Sequence, residues 1–173
     1  MRFMKIKYDG EKVRLEWETE RKRIRQDGSE ATDRTQHKLV SDDQPEDGFT
    51  RALDAFREVV LRILELPDAY GEGLSVRGVS LSYTDEDRMG CVVTCLKELA
   101  ATDAPLVLNT PHLMELDLDN PEQAAMPAEM EEAIEALCEA AERYVEGHRA
   151  QGDLFAGAEE VAGQRELVGA GAE

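Results

Sequence analysis

Two segments of the chain repeat apolar residues at the three-to-four-residue spacing of an amphipathic helix. The first covers residues 49–65 and is followed by Pro67, a residue that cannot continue a helix. The second covers residues 128–148 and ends at Gly147 with two cations behind it, an arrangement that favours a helix C-terminus. The pattern therefore predicts two main helices.

The N-terminal part of the chain alternates apolar and polar residues with the period of two that is typical of β-strands. Residues 2–8 and 12–18 flank the dipeptide Asp9-Gly10, which favours a tight type I′ hairpin turn. Residues 27–35 are uniformly polar, so we expect a loop there, with a short third strand after it.

The middle of the chain predicts a second hairpin. Residues 74–83 alternate with a phase shift near Gly78, which indicates a β-bulge, and residues 89–99 supply the partner strand. Residues 101–127 contain four prolines and cannot form a long helix. We expect a short strand near residue 107 and an ordered connecting loop over 109–126.

These elements together predict an α+β fold. We expect a mostly antiparallel sheet of about four or five strands, with the helices over 49–65 and 128–148 packed on one face. Residues 1–150 would form a single domain. Residues 151–173 are rich in Gly, Ala and Glu, which predicts a flexible acidic tail.

Charge narrows the possible partners. The net charge is −18, which argues against direct binding of nucleic acid or an anionic membrane. Residues 1–40 nevertheless hold 11 Lys/Arg against 8 Asp/Glu, a net +3, so residues 41–173 carry −21. The cations include a group of four at Arg21, Lys22, Arg23 and Arg25. A solvated strand or turn explains this group best, and a weak contact with an anion or nucleic acid is the alternative.

Location and redox state follow from simpler features. Three cysteines and no signal-type segment argue against a secreted, disulfide-stabilised protein. No apolar run approaches the roughly 18 residues that a membrane span requires. We therefore expect a cytoplasmic protein without a membrane anchor.

No set of residues predicts a catalytic, metal or cofactor site. Cys91 and Cys95, with Cys138 or His112 to complete the site, are candidate zinc ligands, but on a strand the first two would lie about 13 Å apart, too far to share one ion. The three histidines are scattered, and no glycine-rich phosphate loop or nucleophile elbow occurs. Acidic runs such as Asp85-Glu86-Asp87 lack the spacing of a calcium loop.

One short segment carries a partner hypothesis. Gln151-Gly152-Asp153-Leu154-Phe155 resembles the pentapeptide with which bacterial replication and repair proteins bind the DNA polymerase sliding clamp. The resemblance implies that Gln151 occupies a small polar pocket, that Leu154 and Phe155 fill an adjoining apolar pocket, and that Asp153 suits its position. Gly152 departs from the usual Leu, which predicts weaker binding. Folding of Leu154 and Phe155 onto their own domain is the alternative.

The C-terminal half is also similar to small acidic proteins of bacteriophage and prophage genomes. The similarity rests on residues 76–82, 105–112 and 149–155. It implies a biological setting and no particular activity.

The sequence thus leaves three functions, in this order. The first is a non-catalytic adaptor of phage or prophage type that engages the sliding clamp through residues 151–155. The second is an acidic decoy, whose glutamate-rich helix imitates nucleic-acid phosphates and blocks a DNA-binding protein. The third is an enzyme of unrecognised type. No oligomeric state is indicated.

Overall fold

The computed structural model describes residues 1–117 and 125–150, which form one antiparallel sheet and three helices. The seven strands are β1 (Arg2–Tyr8), β2 (Val13–Ile24), β3 (Glu30–Ser41), β4 (Leu74–Tyr83), β5 (Met89–Leu99), β6 (Thr102–Asn109) and β7 (Leu113–Met114). The strand order is β3-β2-β1-β4-β5-β6, and β7 pairs with β5 beyond the end of β6. The predicted α+β class with a mostly antiparallel sheet is confirmed, but the expected four or five strands are seven.

The helices differ from the predicted ones mainly in their boundaries. They are α1 (Asp47–Asp54), α2 (Phe56–Ile63) and α3 (Ala128–Val145). The helix predicted over 49–65 is thus two short helices with a bend at Ala55, because both halves keep their apolar faces toward the sheet. The helix predicted over 128–148 ends three residues earlier, since Gly147 takes a left-handed φ of +100° just beyond it.

The helices cover one face of the sheet. Side chains from alternate strand positions meet the apolar faces of all three helices in a single buried cluster. The largest fully buried members are Tyr144, Phe3, Phe56, Ile6, Leu15, Leu74, Met130 and Leu137. The core is therefore mainly aliphatic with a few rings, as the low aromatic content requires.

The predicted bulge near Gly78 is confirmed. The register between β4 and β5 shifts between Val76 and Gly78, and Gly78 lies against β1. A Cβ atom there would lie 2.5 Å from the carbonyl oxygen of Ile6, so the close approach of the two strands needs glycine.

Three loop predictions are wrong. The β1–β2 connection is a four-residue loop, not a two-residue turn, because the Asp9 carboxylate accepts the N–H groups of Glu11 and Lys12 at 3.0 and 2.8 Å. The predicted loop over 27–35 is mostly β3, since β2 continues to Ile24. The predicted loop over 109–126 contains β7.

Candidate functional site

The last described residues of the chain, Arg149 and Ala150, have well-defined contacts. The N–H of Ala150 donates to the carbonyl of Gln44 at 2.9 Å. The Arg149 guanidinium lies 3.4 Å from the centre of the Tyr144 ring and pairs with Asp43 at 3.5 Å. Tyr144 is itself held by its hydroxyl, which donates to the Asp43 carbonyl at 2.6 Å. Residues 149–150 are thus fixed between the end of α3 and the segment before α1.

The residues of the predicted binding peptide follow immediately. Gln151, Asp153, Leu154 and Phe155 lie outside the described residues. Ala150, the residue before them, lies on the surface beside α1 and α3.

A groove of about 990 Å³ opens between α1 and α3 next to this point. Its apolar floor is almost closed, because Phe49 and Tyr144 expose only 2% and 1% of their surface. Its walls are charged, and a 2.7 Å ion pair between Arg143 and Glu46 lies across it. The charged lining residues are Glu46, Asp47, Arg51, Glu139, Arg143 and Arg149. A Leu-Phe pair would bind poorly between such walls, because burying charged groups under apolar side chains costs free energy.

The outer side of α3 carries a row of carboxylates, which we call the acidic stripe. Its members follow one another at intervals of three and four residues and are Glu132, Glu135, Glu139, Glu142 and Glu146. At 1.5 Å per residue the stripe is about 21 Å long. Glu142 and Glu146 have weak partners in the N-terminal amine and His148, at 3.6 and 3.9 Å. No cation pairs with the other three among the residues that the structure describes.

The three cysteines are free thiols, two of them buried and Cys138 half-buried. Cys91 and Cys95 lie on the inner face of β5, and burial raises the pKa of both thiols to about 11. Within residues 1–117 and 125–150 no three His, Cys, Asp or Glu side chains are grouped to hold a metal ion.

The structure brings together one pair that sequence spacing does not reveal. Ser82 Oγ lies 2.7 Å from Nε2 of His112, because pairing of β7 with β5 carries His112 over Gly90. A hydroxyl activated by imidazole also needs a group that orients the ring and donors for an oxyanion. Neither the groove between α1 and α3 nor a smaller pocket beside Met89, Glu115 and Cys138 includes Ser82 or His112, so we assign the pair to anchoring the loop before β7.

The four clustered cations of the sequence lie on a projecting hairpin. Beyond Glu18, β2 pairs only with β3, so residues 19–24 and 30–35 form a two-stranded extension that we call the ribbon. Arg23 pairs with Asp33 at 2.9 Å, and Glu20 pairs with Arg34 at 2.8 Å. The ribbon is therefore a mixed-charge surface and not a uniformly basic one.

No family model, curated protein or solved structure matches this chain. None of the described helices has both the length and the apolar character that crossing a bilayer requires. Function must therefore be argued from the residues themselves.

Proposed function

We propose that this chain is a non-catalytic adaptor of phage or prophage type that engages the bacterial sliding clamp through Gln151-Gly152-Asp153-Leu154-Phe155. The observation that carries the proposal is the position of this peptide. It begins one residue after the point where Arg149 and Ala150 fix the chain to the domain. The proposed role requires that the peptide starting at this surface point be available to a partner.

Two features of the described residues support the proposal. The described members of the core cluster all lie between Phe3 and Val145, ahead of the peptide in the chain. The nearest groove has charged walls, so it does not offer the apolar pocket that these two side chains would seek. A partner that provides such a pocket explains the pair better.

The expected affinity is modest. Full burial of a Leu or Phe side chain contributes about 1.5–3 kcal/mol, so the pair would supply about 3–6 kcal/mol. Gly152 provides no side-chain contact and must lose more conformational freedom than the usual Leu. The domain would add nothing to this contact directly; it would carry a second interaction to the clamp.

The test measures binding of the full chain to purified bacterial sliding clamp by calorimetry. We expect the double variant Leu154→Ala/Phe155→Ala to weaken binding at least a hundredfold, since loss of about 3 kcal/mol corresponds to that factor. The matched control is Leu167→Ala/Val168→Ala, which removes an equivalent apolar pair further along the same segment. Absence of binding by the unmodified chain, or an equal loss in both variants, would rule out this role.

A second function, the acidic decoy, is favoured by the acidic stripe on α3. Glu132, Glu135 and Glu139 lie 4.5–6 Å apart along the helix axis by rise alone and have no cationic partner among the described residues. Regularly spaced free carboxylates can occupy a basic groove in place of phosphates.

The two functions respond differently to mutation. As a decoy, the chain would displace a fluorescent DNA duplex from a purified DNA-binding protein with a basic groove. The triple change of these three glutamates to Gln should weaken that displacement more than tenfold, while Leu154→Ala/Phe155→Ala should leave it unchanged. Displacement that persists in the triple variant would exclude the stripe as the mimic.

A further inference from the structure

The two edges of the sheet are built in opposite ways. The edge formed by β6 and β7 is interrupted, because Pro105 lies in β6, the register shifts opposite Glu98, and β7 is only two residues long. The other edge is β3, which runs for 12 residues and pairs with β2 without one shift in register. Among the described residues, no strand pairs with its outer side.

Two copies of the β3 edge would not repel each other electrostatically, although the molecule as a whole is strongly negative. The four charged residues of β3, Glu30, Asp33, Arg34 and Lys38, sum to zero, whereas the whole chain carries −18. Three of the four are already paired with β2, including Lys38, which lies 3.4 Å from Glu16. Alternate backbone N–H and C=O groups on this edge point outward and are free to bond another strand.

The ribbon also needs support. An isolated two-stranded hairpin is only marginally stable in water, because it has no face to bury. Most side chains of residues 19–24 and 30–35 are exposed, including Ile24 at 76%. A further strand on β3 would convert this extension from two strands to three or more.

We propose that β3 is a self-association edge, at which two copies of this chain pair their β3 strands antiparallel about a two-fold axis through Thr35. The axis is perpendicular to the sheet, so the helices of both copies lie on the same face of one continuous sheet. The contact is isologous, as is usual for closed dimers. It does not depend on the clamp proposal.

The charge pattern selects the register. Residues opposed across the two strands must point to the same face of the sheet. The two-fold axis must therefore pass through a residue, and neighbouring allowed registers differ by two positions of one strand along the other. Two of them pair almost the full strand, with either Thr35 or Gln36 on the axis. The Gln36 register places Arg34 opposite Lys38 of the second copy, twice, and like charges directly opposed are destabilising. The Thr35 register opposes no like charges and sets Thr35 against itself.

In the Thr35 register the remaining pairs are compatible. Asp33 lies opposite His37 of the second copy, and Ala31 lies opposite Leu39. The helices of the two copies stay apart, because α1 and α2 contact β4, the fourth strand from this edge, and the acidic helix α3 packs against α1 and α2. Three strand spacings amount to about 14 Å on each side, whereas the Debye length is about 8 Å at physiological salt.

The experiment is disulfide trapping of the full chain carrying Thr35→Cys. Residues directly opposed in an antiparallel pair have Cα atoms about 4.5–5.5 Å apart, within the range that a disulfide spans. We expect oxidation to give a covalent dimer at least tenfold faster than in two controls, Gln36→Cys and Thr32→Cys. The unmodified chain measures background, since Cys91 and Cys95 are buried and Cys138 is half-buried.

Sedimentation of the unmodified chain provides a measurement that does not depend on any variant. A contact limited to one strand edge is small, so we expect a reversible dimer that forms in the micromolar range and above. A monomer at every concentration, with Thr35→Cys crosslinking no faster than Thr32→Cys, would overturn the proposal. Faster crosslinking of Gln36→Cys than of Thr35→Cys would overturn it as well.

Discussion

The ribbon and the part of the sheet beneath the helices share one strand, β2, yet the two halves of this strand have opposite environments. Leu15, near the start of β2, is fully buried under the helices, whereas Ile24 at its far end is 76% exposed. The covered part derives its stability from apolar burial, while the ribbon has only backbone pairing and cross-strand ion pairs. This contrast shows that one strand can stabilise the fold over half its length and present a surface over the other half.

The contrast extends to local stability. Segments with few buried contacts open with low free energies, whereas core strands open only with global unfolding. We therefore regard the ribbon as the element that can change its partner without loss of the fold, which is the property that a self-association edge requires.

The largest effect expected from this comparison concerns Phe56. Its side chain is fully buried in α2, so Phe56→Ala should lower the free energy of unfolding by about 3–5 kcal/mol. Ile24→Ala on the ribbon also removes a large apolar side chain, but this one is exposed, so the free energy of unfolding should change by no more than about 0.5 kcal/mol. Urea unfolding of both variants measures the difference. Comparable losses would mean that the ribbon belongs to the core.

A smaller effect is expected at Gly78, where β1 and β4 approach closely. The Cβ of Gly78→Ala would lie 2.5 Å from a backbone oxygen, so we expect a loss of about 1–3 kcal/mol. The matched control is Gly48→Ala in α1, where a Cβ meets no atom within 4 Å and φ is not positive. That variant should be neutral or slightly stabilising. Equal thermal stability of the two variants would contradict the close approach at Gly78.

The sequence predicted the covered half better than the ribbon. Helical spacing located both helical segments, 49–65 and 128–148, to within a few residues because their apolar faces are buried, but it did not predict the bend at Ala55. Residues 30–35 were expected to be a loop, since a strand exposed on both faces has no apolar alternation to reveal it. The binding peptide is the opposite case: Leu154 and Phe155 were found only from their resemblance to a motif, and they lie outside the described residues.

The sequence of neighbouring residues was enough to predict the helical segments, the bulge at Gly78 and the charge imbalance between the first 40 residues and the rest. These depend on neighbours within a few positions, where spacing and side-chain type act directly. The tertiary structure alone decided the strand order, the contact of Ser82 with His112, and the free β3 edge. These depend on which distant strands pair, and that is set by the joint burial of side chains that no local pattern records.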